Sequence, residues 1–421
     1  MARSRSVNVR DLRRSNRSRT LVEMYLSGPM TRQEVGSAVG VSPATVSNVV
    51  GELIAQGVLM EVGVEESDGG RPRALLQING AFANVVGVDV GETAVLVELF
   101  DLNMHVLASH TSRPTSALAA EEAVAHVLDG LAHVIAESGI AEDTILGVGV
   151  GVPGLVQHGE DGFVHAQTVG WDAVPFGKML RRGTSLPLQV DNGANTLGQA
   201  EKWFGAARSV DNAVIVLLGT GLGTSIIIDG ELYRGPSSSA GEGGHLSVEV
   251  NGRLCRCGAS GCLEAYVGAN AVIERYDALR RGSSDALDPV AKIEAIAAAG
   301  PGDRSAVRVI DETAMYLGAG IADFVNLFNP ERIVVGGWMG NILGAKLLPG
   351  IREYASRGAL RLPFSQVSIV AAELGTDAVA LGAATLPISS FLARGAVPVT
   401  RKPLPRQRRP ALARRDGTRT K

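Results

Sequence analysis

The side chains best suited to chemistry cluster most densely in one short run of this 421-residue sequence. All three cysteines, Cys255, Cys257 and Cys262, lie close together, and His245 precedes them. Three thiolates and one imidazole make a closed tetrahedral zinc site, which is structural because no position is left for water. Free cysteines in a reducing compartment are the alternative, but three unrelated cysteines rarely fall so close together. The spacing therefore predicts one structural zinc ion bound by these four residues.

A second polar group follows an apolar run in the segment VDNGANT, residues 190–196. Asp191 and Asn192 stand at the predicted carboxyl end of a strand, where polar ligands commonly bind in α/β folds. A phosphoryl-transfer enzyme would use a carboxylate at the next position as general base, but that residue is Gly193. The segment therefore raises the question of whether the chain transforms its ligand or only binds it.

Two glycine-rich turns are of the kind whose backbone N–H groups bind phosphate, DVGET at 89–93 and GTGLGTS at 219–225. Each turn alone is weak evidence, because glycine-rich hairpin turns are common. Glu92 also argues against phosphate, since a carboxylate ~4 Å from a phosphate charge costs on the order of 4 kcal/mol at an effective dielectric of 20.

The elements expected to position these residues alternate between strands and helices. Three strands joined by tight turns are predicted over 85–110, then a helix over 121–139 and a strand over 145–154. A strand, a glycine turn and a strand recur over 213–235, which indicates an internal duplication of an α/β unit. Ligands of such folds bind in the crevice at the C-terminal ends of the strands.

The first eighty residues show a different pattern, that of a helix-turn-helix. One helix is predicted over 16–28, and Thr31 with Glu34 forms a capping box for a second. Gly40 ends that helix, and Ser42 caps a third. In this arrangement the last helix enters the major groove of DNA.

The exposed N-terminal end of the third helix and a following wing are the predicted DNA contacts. Asn48 can read adenine through two hydrogen bonds. Strands predicted over 58–62 and 74–78 flank a wing that carries Arg71 and Arg73 toward phosphate or the minor groove. The candidate DNA-binding residues are Ala44, Thr45, Ser47, Asn48, Arg71 and Arg73. A three-helix packing unit without DNA contact is the alternative, which the basic segment in front and the wing behind disfavour.

The net charge of −3 conceals a strong asymmetry. Residues 1–20 carry +6 and residues 394–421 carry +9, so the remaining 373 residues carry −18. Basic ends around an acidic body favour contact of the ends with a polyanion, although a solvated, disordered tail explains the C-terminal charges equally well. No apolar run approaches the ~20 residues that span a bilayer, so a cytoplasmic, nucleoid-associated protein without a membrane partner is expected.

Together these segments resemble the ROK family of repressors, open reading frames and sugar kinases. Within it, the chain is similar to the repressors with an N-terminal winged helix-turn-helix, such as the N-acetylglucosamine and xylose repressors. The resemblance covers about residues 10–387. It rests on GVPG at 151–154, AGEGGH at 240–245, CRCGASGCLE at 255–264 and GAGIADFVNLFNPERIVVGG at 318–337.

The resemblance implies an α/β fold, in which the winged helix-turn-helix precedes a duplicated actin-like ATPase (ribonuclease H-like) domain of two lobes. The expected divisions are a basic arm at 1–15, the DNA-binding domain at 16–78, the sugar-binding ROK domain at 82–387 and a disordered basic tail at 388–421. Sugar is then expected between the lobes. The sugar-binding residues that the resemblance implies are Gly154, Thr168, Asn192, Glu242, His245 and Glu264.

Three departures from the family pattern bear on catalysis. The family's catalytic base is an Asp at the position of Gly193, the first phosphate turn has Glu92 where the family has Gly, and Ser225 also stands where Gly is usual. Losing a general base costs about 10²–10⁴ in rate, and a repulsive carboxylate adds to that loss. Asp191 swinging in as a substitute base is the alternative.

The sequence thus predicts a sugar-responsive transcriptional regulator, a repressor of carbohydrate-use genes, with an inactive kinase site. Its expected partners are a DNA operator, a sugar or sugar-derivative effector, and further copies of itself in a homodimer or homotetramer. Two alternatives stay open: an ATP-dependent sugar kinase that carries a DNA-binding domain, and a constitutive DNA-binding protein whose sugar pocket is vestigial.

Overall fold

The computed structural model describes residues 9–65, 72–114, 118–157, 159, 161–280 and 288–397. The helices are α1 Val9–Ser27, α2 Arg32–Val39, α3 Pro43–Ala55, α4 Ala120–Ser138, α5 Phe176–Leu180, α6 Gly193–Phe204, α7 Glu264–Val267, α8 Ala269–Arg280, α9 Pro289–Ala298, α10 Arg304–Phe328, α11 Gly337–Gly358, α12 Arg361–Gln366 and α13 Ala378–Ala393. The strands are β1 Met30–Thr31, β2 Leu59–Glu65, β3 Arg73–Ile78, β4 Asn84–Val90, β5 Val95–Asp101, β6 Val106–Ser112, β7 Ile145–Val152, β8 Leu155–Gln157, β9 Phe163–Ala166, β10 Trp171–Pro175, β11 Leu188–Asn192, β12 Ala213–Leu218, β13 Leu222–Ile228, β14 Glu231–Leu232, β15 Arg332–Gly336 and β16 Ser368–Ala371.

The N-terminal unit is a winged helix-turn-helix made of α1, α2, α3 and a sheet in the order β1-β3-β2. The predicted caps are confirmed: Thr31 and Glu34 form a reciprocal capping box on α2, and the Ser42 hydroxyl accepts the Thr45 N–H at the start of α3. Valines and Leu53 of α3 are buried against α1 and α2, so the opposite face of α3 is left exposed.

Two boundaries of this unit differ from the sequence prediction. Helix α1 begins at Val9, so residues 9–15 are helical and the predicted arm at 1–15 is too long. The hairpin strands also continue to Glu65 and resume at Arg73, which makes the wing shorter than predicted. Residues 1–8 and Arg71 lie outside the described residues.

The body consists of two lobes with the same topology, which confirms the predicted duplication. The first lobe has the sheet β11-β7-β4-β5-β6, and the second has β16-β15-β12-β13-β14. In each sheet the first three strands pair antiparallel, the fourth pairs in parallel with the first, and the fifth pairs in parallel with the fourth. Corresponding strand ends of the two lobes therefore face one cleft.

Helix α13 returns from the second lobe and lies directly on the sheet of the first. It can approach so closely because β4 and β7 have glycines beneath it: a Cβ at Gly87 would lie 2.0 Å from the Ala380 carbonyl oxygen, and one at Gly149 would lie 1.8 Å from that of Ala383. The predicted boundary at 387 is wrong, because α13 continues to Ala393. Pro387 lies inside the helix, and Phe391 beyond it is 1 % exposed.

The winged helix-turn-helix packs on the body without a flexible connection. Its core is continuous with buried residues of β4, β5 and α13. The segment that joins the two is an ordered turn, Gly80–Phe82, because Asn79 caps it and the Leu102 N–H donates to the carbonyl of buried Gly80. In the described part of the chain no single helix is long and apolar enough to cross a membrane, and only α2 and α3 taken together, bent by 116°, pass on length and composition.

Candidate sugar cleft and metal cluster

A cleft of about 210 Å³ lies where the strand ends of the two lobes meet. Both glycine-rich turns contribute to its wall, as does the start of α13. All six predicted sugar-binding residues line it: Gly154, Thr168, Asn192, Glu242, His245 and Glu264. Residues separated by more than a hundred positions are thus brought to one site, with contributions from both lobes.

Asn192 is the last residue of β11 and the N-cap of α6. Its Oδ1 accepts the N–H groups of Ala194 at 2.7 Å and Asn195 at 3.3 Å, and its Nδ2 donates to the Gly154 carbonyl at 2.6 Å. Only one amide hydrogen of Asn192 is left for a ligand. Gly154 has φ +75°, and a Cβ there would lie 2.3 Å from the His165 carbonyl oxygen, so only glycine fits this wall of the cleft.

Thr168 reaches the cleft from the first lobe. It lies in a short 3₁₀ turn, Gln167–Val169, and is half-buried. Its hydroxyl can both donate and accept, which suits a sugar hydroxyl.

His245 connects the cleft to the cysteine cluster through its two ring nitrogens. Nδ1 lies 3.7 Å from Cys255 Sγ, whereas Nε2 lies 3.8 Å from the Glu242 carboxylate in the cleft. Burial and the neighbouring Glu264 raise the pKa of Glu242, against the opposing effect of His245. A cation at the cluster would therefore orient a residue that also faces the ligand.

Glu264 begins α7 and is 8 % exposed. Its Oε2 accepts the backbone N–H of Leu222, in the second glycine-rich turn, at 3.0 Å. Its Oε1 faces the Arg256 guanidinium at 3.5 Å. This carboxylate is therefore held in place by the protein before any ligand is bound.

Asp191, considered above as a substitute base, is directed away from the cleft. It is 1 % exposed, and its Oδ2 accepts two hydrogen bonds from Arg234, at 2.7 and 3.2 Å. Its Oδ1 accepts from the Asn195 amide and the Asn192 N–H. Asp191 borders a different cavity, of about 770 Å³, beside α1. Every carboxylate oxygen is thus committed to a protein partner.

Gly193 leaves open space where the base of a kinase would stand. A Cβ built there has its nearest neighbours at 3.7 Å, the Val152 carbonyl oxygen and a methyl of Val379. The glycine is therefore not required by close packing at this position.

Arg256, which contacts two residues of the cleft wall from outside, was missed by sequence reasoning. Its Nη1 donates to Glu92 Oε2 at 2.7 Å, and its Nη2 faces Glu264. Glu92 belongs to the first lobe and Arg256 to the second, so this ion pair joins the lobes. No local pattern predicts a contact between residues 164 positions apart. Glu92, which is expected to disfavour phosphate, is thus paired with an arginine of the other lobe.

The cysteines and His245 form a cluster that can hold a metal ion. Their ligand atoms all lie within 4.8 Å of one another, and Cys257 Sγ lies 3.7 Å from Cys262 Sγ. Bonds of about 2.3 Å to a tetrahedral ion place sulfurs about 3.8 Å apart, so the spacing fits. Burial and the neighbouring thiols raise the pKa of Cys262 to about 12 in the absence of a cation.

The predicted DNA contacts lie on the exposed side of the N-terminal unit. Ala44, Ser47 and Asn48 are exposed on the first turns of α3. Thr45 is half-buried and its Oγ1 lies 2.9 Å from the Ser42 hydroxyl, so it supports the cap of α3. Arg73 is exposed at the start of β3.

Comparison with known proteins assigns this architecture. The sequence profile of the ROK family matches residues 85–389. The xylose repressor of Caldicellulosiruptor bescii is 30% identical over 370 residues, which cover 86% of this chain and 92% of that repressor. The chain belongs to the ROK family. The matched region begins just after the winged helix-turn-helix and ends inside α13.

Solved structures of both regulators and kinases of the ROK family share this fold. A ROK family transcriptional regulator described as a homologue of the Escherichia coli MLC protein matches with a TM-score of 0.74 and 27% identity, over 91% of this chain and 98% of that one. A ROK glucokinase from Streptomyces griseus, solved with glucose and AMPPNP, matches with a TM-score of 0.62 and 30% identity over 72% of this chain and 99% of the kinase. The regulator thus covers more of the chain than the kinase does.

Proposed function

We propose that this protein is a sugar-responsive transcriptional repressor that binds sugar in the cleft and DNA through α3 and the wing. The observation that carries the proposal is a physical connection between those two sites. Helices α6 and α13 both begin at the cleft and both end on the DNA-binding unit. The relatives described above, a xylose repressor and a ROK family regulator, agree with this function.

Helix α6 is the first connection. Asn192, which lines the cleft, caps its N-terminus. Its C-terminal residues Trp203 and Phe204 contact the Tyr25 ring of α1 at centroid distances of 5.5 and 6.5 Å. Twelve residues of helix span ~18 Å, so a shift at the cap is carried across the body as a rigid-body movement.

Helix α13 is the second connection, parallel to the first. Ala378 and Val379 line the cleft at its start. At its end, Arg17 of α1 donates to the Gly395 carbonyl at 2.6 Å. The same guanidinium contacts the Gln56 side chain at the end of α3. One arginine thus joins the C-terminal end of α13 to the recognition helix.

A sugar can use these connections only if it binds one arrangement of the lobes more tightly than the other. Residues of both lobes line the cleft, so a bound sugar favours the closed arrangement. The starts of α6 and α13 then move with the cleft walls, and the two halves of a homodimer present their recognition helices at a changed spacing. DNA half-sites are sensitive to that spacing.

The cleft binds sugar without phosphorylating it in this proposal. Gly193 supplies no base, and Asp191 is held by Arg234 on the far side of the strand. Of the carboxylates that remain, those of Glu242 and Glu264 accept hydrogen bonds from sugar hydroxyls, which is binding chemistry only.

The cluster of His245, Cys255, Cys257 and Cys262 holds structural zinc in this proposal. Thiolates are soft ligands, so a set of three thiolates and one imidazole selects zinc over magnesium or calcium. Metal analysis of freshly reduced protein should give one zinc per chain. Cys257→Ser should lose the metal and melt at a lower temperature. Ser260→Ala, an exposed change in the same loop, should keep the zinc content and the melting temperature of wild type. A folded, metal-free wild-type protein would contradict the assignment.

The test of the whole proposal is selection of genomic DNA fragments by purified protein, with and without a panel of sugars. The expected result is a defined operator whose affinity changes with one sugar. Asn48→Ala should reduce the preference for that operator over other fragments. Arg73→Ala should instead weaken binding to all fragments and make the affinity depend less steeply on salt concentration. Sugar-dependent ADP formation by the wild-type protein would instead favour the kinase.

A further inference from the structure

We infer that the cleft accepts an uncharged sugar and excludes phosphorylated sugars, because the protein's own carboxylates occupy the groups that would bind a phosphoryl oxygen. The inference rests on the proposed function and names the chemical class of its effector. It follows from the partners of two residues, Glu92 and Glu264.

Two groups beside the second glycine-rich turn are suited to an anion, and both already contact a carboxylate. The Arg256 guanidinium holds Glu92 at 2.7 Å and faces Glu264 at 3.5 Å. The Leu222 N–H, in the turn that could cradle phosphate, donates to Glu264 at 3.0 Å. A phosphoryl group entering here must displace a carboxylate from at least one of them, and that carboxylate stays nearby as a like charge.

The geometry around the second turn leaves little space for such an exchange. A Cβ built on Gly221 would lie 2.2 Å from Glu264 Oε2 and 2.9 Å from Arg256 Nη2. The carboxylate and the guanidinium therefore rest against the backbone of the turn, where a phosphate would need to approach its N–H groups.

The remaining charged groups of the cleft are also unfavourable for an anion. Besides Glu92 and Glu264, Asp89 and Glu242 line it, and His245 is the one basic side chain among the described lining residues. Carboxylates accept hydrogen bonds and donate none when ionised, so they suit the O–H groups of a neutral sugar and repel a phosphate monoester. Glu92 is the residue that distinguishes the two, since it removes Arg256 from the reach of an incoming anion.

The experiment compares matched pairs of ligands by calorimetry on the full-length, zinc-loaded protein. The pairs are glucose, N-acetylglucosamine and xylose, each with its phosphate monoester. We expect one free sugar to bind at least about tenfold more tightly than its phosphate. Glu92→Gln should reduce that preference to about threefold or less, because it frees Arg256 for the phosphoryl group while keeping the size of the side chain. Glu137→Gln makes the same charge change on the outer helix α4 and should alter nothing.

The outcomes separate this inference from the function on which it rests. A phosphorylated sugar that binds wild-type protein as tightly as its free form would overturn the inference and leave a sugar-responsive repressor. A strong preference that Glu92→Gln leaves unchanged would overturn the role given to Glu92. Failure of every free and phosphorylated sugar to bind a protein that still selects an operator would remove the sugar response, and the inference with it.

Discussion

Two arginines determine what the carboxylates around the cleft can do. Arg234 holds Asp191 behind the strand, and Arg256 holds Glu92 across the lobes. A kinase needs a free carboxylate near the acceptor hydroxyl and an unobstructed path for phosphate. In the proposed binding site Asp191 and Glu92 meet neither condition, so we expect the two departures from the kinase pattern to act together.

Restoring the missing carboxylate alone should therefore not restore catalysis. Gly193→Asp should fold well, since a Cβ has neighbours no closer than 3.7 Å and an acid at a helix N-terminus is favourable by roughly 0.3–1 kcal/mol. We expect no sugar-dependent ADP from this variant, because the Glu92–Arg256 pair persists. The double variant, Gly193→Asp with Glu92→Gly, should form sugar-dependent ADP at a rate at least about tenfold above the background of the single variant. Comparable activity of both would show that the ion pair does not obstruct phosphate.

Asp89, which lines the cleft, makes the stability of the folded protein depend on pH. Burial raises its pKa to about 7, above the ~3.9 of an unfolded chain. The folded state therefore binds the proton more tightly, and the stability that the neutral form confers is lost as pH rises through about 7. Asp89→Asn mimics the neutral form, so its melting temperature should rise relative to wild type between pH ~4 and ~7 and the difference should stay constant above that. Asp323→Asn, an exposed change on α10, should show no such trend. If the melting temperatures of Asp89→Asn and wild type differed by the same amount at every pH, the raised pKa assigned to Asp89 would be wrong.

At the scale of elements, Tyr25 is the point where α1 meets α6. Its ring packs on Trp203 and Phe204, while its hydroxyl is buried without a hydrogen-bond partner in the described structure. Tyr25→Phe should therefore leave stability unchanged or raise it by about 1 kcal/mol. Tyr25→Ala removes the ring and should cost on the order of 3 kcal/mol.

The same pair of variants tests the connection between cleft and DNA. With Tyr25→Phe, the ratio of operator affinities measured with and without sugar should match that of wild type. With Tyr25→Ala, the ratio should approach one while calorimetric sugar binding persists. An unchanged ratio in the alanine variant would mean that α6 does not carry the signal.

Local signals in the sequence predict the elements and ligands that depend on near neighbours. The caps at Thr31 and Ser42 are correct because a helix start is determined within about four residues. The His245 and cysteine cluster was also predicted, since its members lie in one run of sequence. The Glu92–Arg256 pair was not, because it depends on how two distant lobes meet.

The end of the fold was missed for a related reason. The boundary at 387 was placed where the resemblance to the family ends, and a proline at that position agrees with the end of a helix. In the structure Pro387 packs on the glycine-containing strand β7, with its ring about 3.3 Å from where a Cβ of Gly149 would lie. Tertiary packing of α13 on the sheet overrides the local signal, and that packing is not readable from one segment.

At the scale of the whole molecule, two truncated proteins, ending after residue 397 and after residue 387, should behave differently. Ending the chain after residue 397 keeps all of α13 and the buried side chains that it contributes to the core, so the melting temperature should stay near the wild-type value. Those residues carry a net charge of +8, and their loss should reduce salt-sensitive binding to non-operator DNA. Operator preference and the sugar response should persist.

Ending the chain after residue 387 instead removes Ile388, Phe391 and Leu392, each at most 1 % exposed. These side chains complete the core shared by the winged helix-turn-helix and the first lobe. Each such deletion costs about 2–5 kcal/mol. The three together therefore cost about as much as the ~5–15 kcal/mol free energy of unfolding of a typical domain. This shorter protein should lose cooperative unfolding or aggregate, which scanning calorimetry would detect. If it melted like the longer one and still released its operator with sugar, α13 would not be the path from the cleft to the DNA-binding unit.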